Sequence, residues 1–167
     1  MMSKAIKKMT VRPRPRPTSK RRLAKILPRR IVILDDQPEM GECWEMMLRE
    51  YLLKNTKPLE IVTFTDSVKA MDELLRENPD LFITDWNHTG IRCDEMFEFL
   101  ARKKIKYPIF VITASADLFL KKHLLEVSRK LGLTIRIQGK PCMPDDLRRL
   151  MSRYFYFSAK VKEAAVV

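Results

Sequence analysis

Four apolar runs in this 167-residue chain each finish on a residue able to do polar chemistry. Ile31-Val32-Ile33-Leu34 ends at Asp35 and Asp36, and Leu81-Phe82-Ile83-Thr84 ends at Asp85. Ile109-Phe110-Val111-Ile112 ends at Thr113, and the stretch from Leu133 to Gly139 closes on Lys140. A carboxylate has no reason to end an apolar strand unless it is aimed at something. Three carboxylates crowded together repel one another and need a cation, and ligands that are all oxygen favour a hard ion such as Mg2+. A carboxylate is also a nucleophile toward phosphorus, giving an aspartyl phosphate. An ammonium and a hydroxyl alongside supply charge neutralisation and positioning, which are most of what phosphoryl transfer asks of a protein.

These residues meet only if the chain between them folds in a particular way. The intervening segments carry apolar residues at helical spacing. Pro38 to Lys54 predicts a helix, with Met40, Cys43, Trp44, Met47, Leu48, Tyr51 and Leu52 on one side. Leu59 to Phe64 predicts a strand. Asp66 or Ser67 caps a helix to about Glu77, with Val68, Met71, Leu74 and Leu75 inward. Cys93 to Lys103 follows, with Met96, Phe97, Phe99 and Leu100 buried. Asp117 to Leu131 is helical and ends at Gly132. Leu133 to Ile137 is the fifth strand, and Asp145 to about Phe157 is a last helix, which Pro144 can start.

Five strands alternating with five helices imply a single α/β unit, a doubly wound five-stranded parallel sheet covered on both faces. Its strands are continuous apolar runs, as sheets buried on both sides require. Asp36 and Asp85 are 49 residues apart, the length of two β-α-β crossovers. Asp85 to Thr113 is 28 residues and Thr113 to Lys140 is 27, one crossover each. All four groups therefore fall at the carboxyl ends of strands, where open α/β sheets bind ligands.

Charge divides the chain in two. Of 33 Lys and Arg, twelve lie in residues 1–30, which hold no acid, so the remaining 21 balance the 21 Asp and Glu and the net +12 belongs to the tail. Within it, Arg12-Pro13-Arg14-Pro15-Arg16-Pro17 forbids helix and predicts an extended or disordered arm. Thr18 to Leu27 has the spacing of a short basic helix stopped by Pro28. Such a tail is either a solubilising arm, an upstream start-site extension, or a salt-sensitive, non-specific hold on nucleic acid or an anionic surface. No stretch approaches the roughly 18 to 20 continuous apolar residues of a membrane span. There is also no apolar region of signal-peptide type near the start. The three cysteines (Cys43, Cys93, Cys142) are widely spaced and in no metal-ligand pattern, so the expected setting is reducing and cytoplasmic.

Taken in order, Asp35-Asp36, Asp85-Trp86-Asn87, Thr113-Ala114 and Lys140-Pro141 resemble the motifs of the response-regulator receiver domain, over about residues 30–157. The resemblance implies a flavodoxin-like sheet of strand order 2-1-3-4-5. It also implies that Asp85 accepts a phosphoryl group from a sensor histidine kinase or a histidine phosphotransfer protein. Asp36 would be the main acid for Mg2+, with Asp35 helping, Asp85 itself at the metal, and Asn87 giving its backbone carbonyl. Thr113 and Lys140 would contact the phosphoryl group and convert its arrival into a shift between two existing conformations. The chain departs from the family pattern in three places: His88-Thr89 stands for Met-Pro, Cys93 for a loop Gly, and Ile137 for a Tyr or Phe. The first two point to a loop of its own shape, the third to a signal read without the aromatic half of the usual switch.

Some side chains have plainer readings. His88 is expected to be an exposed loop histidine and His123 a solvated one on a charged helix face. Trp44 and Trp86 suit either a partner or partial burial, and Phe155-Tyr156-Phe157 suits core packing. The expected protein is a stand-alone receiver, residues 30–157, with a basic tail at 1–29 and a short C-terminal tail at 158–167. It would take part in phosphorelay signalling and would not be an enzyme beyond assisting its own phosphorylation and dephosphorylation. The alternatives are a receiver-like scaffold that is never phosphorylated and a tail-driven nucleic-acid or anionic-surface binder.

Overall fold

The computed structural model describes residues 27–54 and 58–155. The predictions for the basic arm, the short basic helix, Tyr156, Phe157 and residues 158–167 fall outside them, apart from Leu27, Pro28 and Arg29. Five parallel strands, β1 (Arg30–Leu34), β2 (Glu60–Phe64), β3 (Leu81–Thr84), β4 (Ile109–Thr113) and β5 (Ile135–Gly139), form one sheet in the order β2-β1-β3-β4-β5. Ile31 pairs with both Ile61 and Leu81, and Thr113 pairs with Gly139, so the four polar strand ends line one edge. Helices α1 (Pro38–Met46), α2 (Ser67–Arg76), α3 (Cys93–Arg102), α4 (Leu118–Leu131) and α5 (Pro144–Met151) make the crossovers and the final turn.

Side chains alternate across each strand, and this sorts the core into two halves. Val32, Leu34, Phe82, Ile109 and Val111 face α2, α3 and α4, packing on Met71, Leu74, Met96, Phe97 and Leu124. Ile31, Ile33, Leu81, Ile83, Phe110 and Ile112 face α1 and α5, packing on Trp44, Leu48, Leu147 and Met151. Trp44, 2% exposed, is therefore core. Local chemistry sets the helix ends. The Asp66 carboxylate accepts from Val68 N and Lys69 N, and that of Asp117 from Leu120 N. Gly132 closes α4 in the left-handed region at φ 67°.

Four expectations need correction. The helix from Pro38 is regular only to Met46; Met47–Leu52 continues it with π-helical bonding, Leu53 N reaching Leu48 O at 2.7 Å. That wider turn still buries Met47, Leu48 and Leu52 but turns Tyr51 outward. On α2, Val68 and Leu75 are exposed, and Ser67, Ala70 and Glu73 take inward positions beside Met71 and Leu74. The fifth strand begins two residues later than the apolar run because Leu133 N still bonds to Ser128 O in the closing turn of α4. The last helix stops at Met151, and Phe155 is buried beyond it.

Lys104, just past α3, takes the left-handed region at φ 56° with its N–H on Ala101 O at 2.9 Å. A side chain with a Cβ is disfavoured there and glycine is not. Lys104→Gly should therefore stabilise the protein by about 1 kcal/mol, read as a higher urea midpoint at unchanged slope. A lower midpoint would show that the lysine side chain contributes more than the backbone costs.

Candidate functional site

β1 delivers Asp35 and Asp36, β3 delivers Asp85, β4 ends on Thr113, and Lys140 follows the last residue of β5. Asp35 is 2% exposed and Asp85 8%; Asp36 is half-buried at the rim. One carboxylate oxygen from each of the three acids lies within 4.8 Å of the others. Lys140 Nζ donates to Asp35 Oδ2 at 2.8 Å and to Asp85 Oδ2 at 3.2 Å, joining the first strand to the third from the far side of the sheet. Burial alone would pull the ammonium's pKa down. The hydrogen bond and charge of Asp35, with Asp85 behind it, outweigh that and raise it above the ordinary lysine value.

Backbone groups fix the carboxylates further. Asp35 Oδ1 accepts from Gln37 N at 3.2 Å, Asp85 Oδ1 from Trp86 N at 2.6 Å, and Asp36 Oδ2 from Thr89 N at 3.2 Å. The third of these ties the outermost acid to the loop between β3 and α3. The same loop is held from α2, because Ser67 Oγ accepts from Ile91 N at 2.7 Å. Gly90, at φ 89°, makes room there: a Cβ on it would sit 2.3 Å from that oxygen.

Thr113 is fully buried, and its hydroxyl is engaged with its neighbours rather than with the acids. Asn87 Nδ2 donates to Thr113 Oγ1 at 3.5 Å and to Ser115 Oγ at 3.0 Å, while Ser115 N donates to Thr113 Oγ1 at 3.3 Å. Ser115 is thus part of the constellation, and its place two residues past a strand-end threonine was the only sequence signal for it. The structure brings Asp35, Asp36 and Asp85 together, sets Lys140 on Asp35 and Asp85, and places Thr113 and Asn87 beside them.

One of the two histidines departs from expectation. His88 is not exposed: 9% of it is accessible, with Nδ1 3.1 Å from Thr89 O and Nε2 3.3 Å from Cys93 Sγ. A buried thiol opposite it made burial the better option. His123 is exposed on α4, as expected, and also bonds Asp94 at 2.8 Å and meets the half-buried Trp86 edge-on at 5.8 Å. Cys93 itself is 3% exposed, and burial pushes its thiol up to about 12, far from reactive thiolate character.

The donor set fits a hard divalent cation. Three carboxylates converge at one edge, and all of their donor atoms are oxygen. No helix among the described residues is long and apolar enough to cross a membrane.

No family model and no curated protein matches the sequence. Solved structures do match. A signal receiver domain from Vibrio parahaemolyticus is similar with a TM-score of 0.63 at 16% identity, covering 77% of this chain and 90% of that one. The chemotaxis protein CheY4 of Vibrio cholerae is similar with a TM-score of 0.61 at 18% identity, covering 75% and 98%. A CheY-like response regulator receiver domain protein from Methanospirillum hungatei gives 0.60 at 18% identity, covering 81% and 94%. The chain has the receiver-domain fold, with the strand order 2-1-3-4-5 expected of it.

Proposed function

We propose that this protein is a phosphorelay receiver in which Asp85 accepts a phosphoryl group from a histidine kinase or a histidine phosphotransfer protein. One observation carries this: the three carboxylates at the sheet edge, within 4.8 Å of one another, with the Lys140 ammonium bridging Asp35 and Asp85. In the transfer an oxygen of Asp85 forms a bond to phosphorus while the bond from phosphorus to the donor's imidazole nitrogen breaks. The electron pair of that bond stays with the nitrogen, and the product is an acyl phosphate. Mg2+ would be held by Asp36, Asp35, Asp85 and the backbone carbonyl of Asn87, and would supply positive charge against the incoming anion. Lys140 changes partner from the free carboxylate to a phosphoryl oxygen, and the Thr113 hydroxyl leaves Asn87 to donate to another. Residues 30–157 form the signalling unit, which turns over no substrate of its own beyond its phosphorylation and dephosphorylation.

The test is to incubate the purified chain with acetyl phosphate or a histidine kinase and Mg2+, then to measure intact mass. One acid-labile phosphoryl group is expected on the native chain, none without metal, and none on Asp85→Ala. A folded native chain that gains nothing from either donor would overturn the proposal.

A further inference from the structure

The loop from Asp85 to Arg92 has to hold three things in register: the acceptor carboxylate, the carbonyl of Asn87, and the Thr89 N–H that meets Asp36. Two of its supports come from outside, Asp36 at the rim and Ser67 from α2. The third is internal and consists of the residues by which this chain departs from the family pattern. His88 and Cys93 are both buried, at 9% and 3% exposure, and touch through Nε2 and Sγ at 3.3 Å. On its other side the imidazole reaches Thr89 O at 3.1 Å, and on its other side the thiol reaches Asp85 O at 3.3 Å.

A carbonyl oxygen only accepts, so His88 Nδ1 carries the hydrogen toward Thr89 O. In the neutral ring Nε2 is then an acceptor, and the single Cys93 S–H is shared between it and the Asp85 carbonyl oxygen, each 3.3 Å from the sulfur. The chord runs from the first turn of α3 through the imidazole to the backbone at position 89. It closes the loop on itself between the backbone at positions 85 and 89.

We propose that His88 and Cys93 act as a pair of positioning residues that hold the loop in the shape needed for a divalent cation. The hydrogen bond between them thereby sets the affinity of the acidic site for that ion. This rests on the receiver reading of the site given above. The pair touches neither the cation nor the phosphoryl group. Loss of the bond leaves the acids in place but lets the Asn87 carbonyl and the Thr89 N–H drift from them. Partners that orient metal ligands typically change metal affinity by about 10- to 100-fold when removed.

The experiment titrates the full chain with Mg2+, following Trp86 emission and binding heat. It is repeated for Cys93→Ala, Cys93→Ser and His88→Leu, with urea unfolding to show that each is folded. Cys93→Ala and His88→Leu should weaken Mg2+ binding by about tenfold, while Cys93→Ser, which keeps a donor, should stay within about twofold of the native chain. With a phosphodonor, saturating Mg2+ should restore the full extent of phosphorylation in the weakened variants. Equal affinity in Cys93→Ala and Cys93→Ser, or a native chain that binds no Mg2+, overturns the proposal. If Mg2+ binding follows this pattern but no form accepts a phosphoryl group, the positioning role stands and the receiver reading falls.

Discussion

Lys140→Met should cost the protein about 3 kcal/mol of stability when no divalent cation is present. Removing one partner of a buried ion pair costs about 3–5 kcal/mol, because the other charge stays behind without compensation. Asp35 and Asp85 have side chains 1% and 10% exposed, and Lys140, at 16%, keeps some access to water, which places the loss at the lower end. What remains is three carboxylates within 4.8 Å of one another and no cation between them. Millimolar Mg2+ should then stabilise the variant more than the native chain, since a ligand stabilises in proportion to its affinity for the folded state. Urea unfolding with and without Mg2+ measures both effects. An unchanged midpoint without metal would mean that the two ion pairs contribute nothing.

The same pair of proteins yields a pH dependence of fixed sign. The folded-state pKa of Lys140 lies above the unfolded value of 10.5, because Asp35 and Asp85 outweigh burial. A raised lysine contributes fully below the unfolded value and loses its contribution as pH rises through the folded one. The stability gap between native chain and Lys140→Met should therefore be constant from neutral pH to about 10.5 and close above it. Other groups that titrate in this range are common to both proteins and leave the difference unaffected.

The site was legible in the sequence because strand-end positions are fixed by crossover length. Once Leu34, Ile83 and Ile112 are buried, the polar residues that follow have only the sheet edge to occupy. The loops were less legible, since their contacts join residues that no periodicity relates. His88 looks like an exposed histidine until Cys93 is seen to lie opposite it, and the Asp94 partner of the exposed His123 comes from the neighbouring helix. Helix faces failed where a polar residue went inward for a reason outside its own segment. Glu73 is 8% exposed because Arg30, buried at the start of β1, binds it together with Glu60 and Glu77. With Glu73 inward, α2 turns Val68 and Leu75 to solvent. Arg30 stands at the boundary between the basic tail and the folded unit, and nothing in the sequence showed that its side chain would draw Glu73 inward.

Phe110→Ala should have the largest effect on the fold, about 4 kcal/mol. The ring is fully buried on β4, opposite Ile83 in the register. It packs among Trp44, Leu48, Leu147 and Met151, with the Tyr154 ring 5.8 Å away. Alanine there leaves a cavity between the sheet and two helices that cannot collapse while the strands stay paired. A domain of this size has about 5–15 kcal/mol in all, so the variant should melt roughly 15 °C lower. Phe99→Ala provides the contrast. That ring is half-exposed on α3 under Arg102 and Lys103, and its loss should cost about 1 kcal/mol. Phe110 also lies three residues before Thr113, so its variant should accept less phosphoryl group through partial unfolding, with activity and helical signal falling together on heating. Asp85→Ala should lose all phosphorylation with the melting curve of a folded protein. Similar melting of Phe110→Ala and Phe99→Ala would show that β4 is not the packed centre of the sheet.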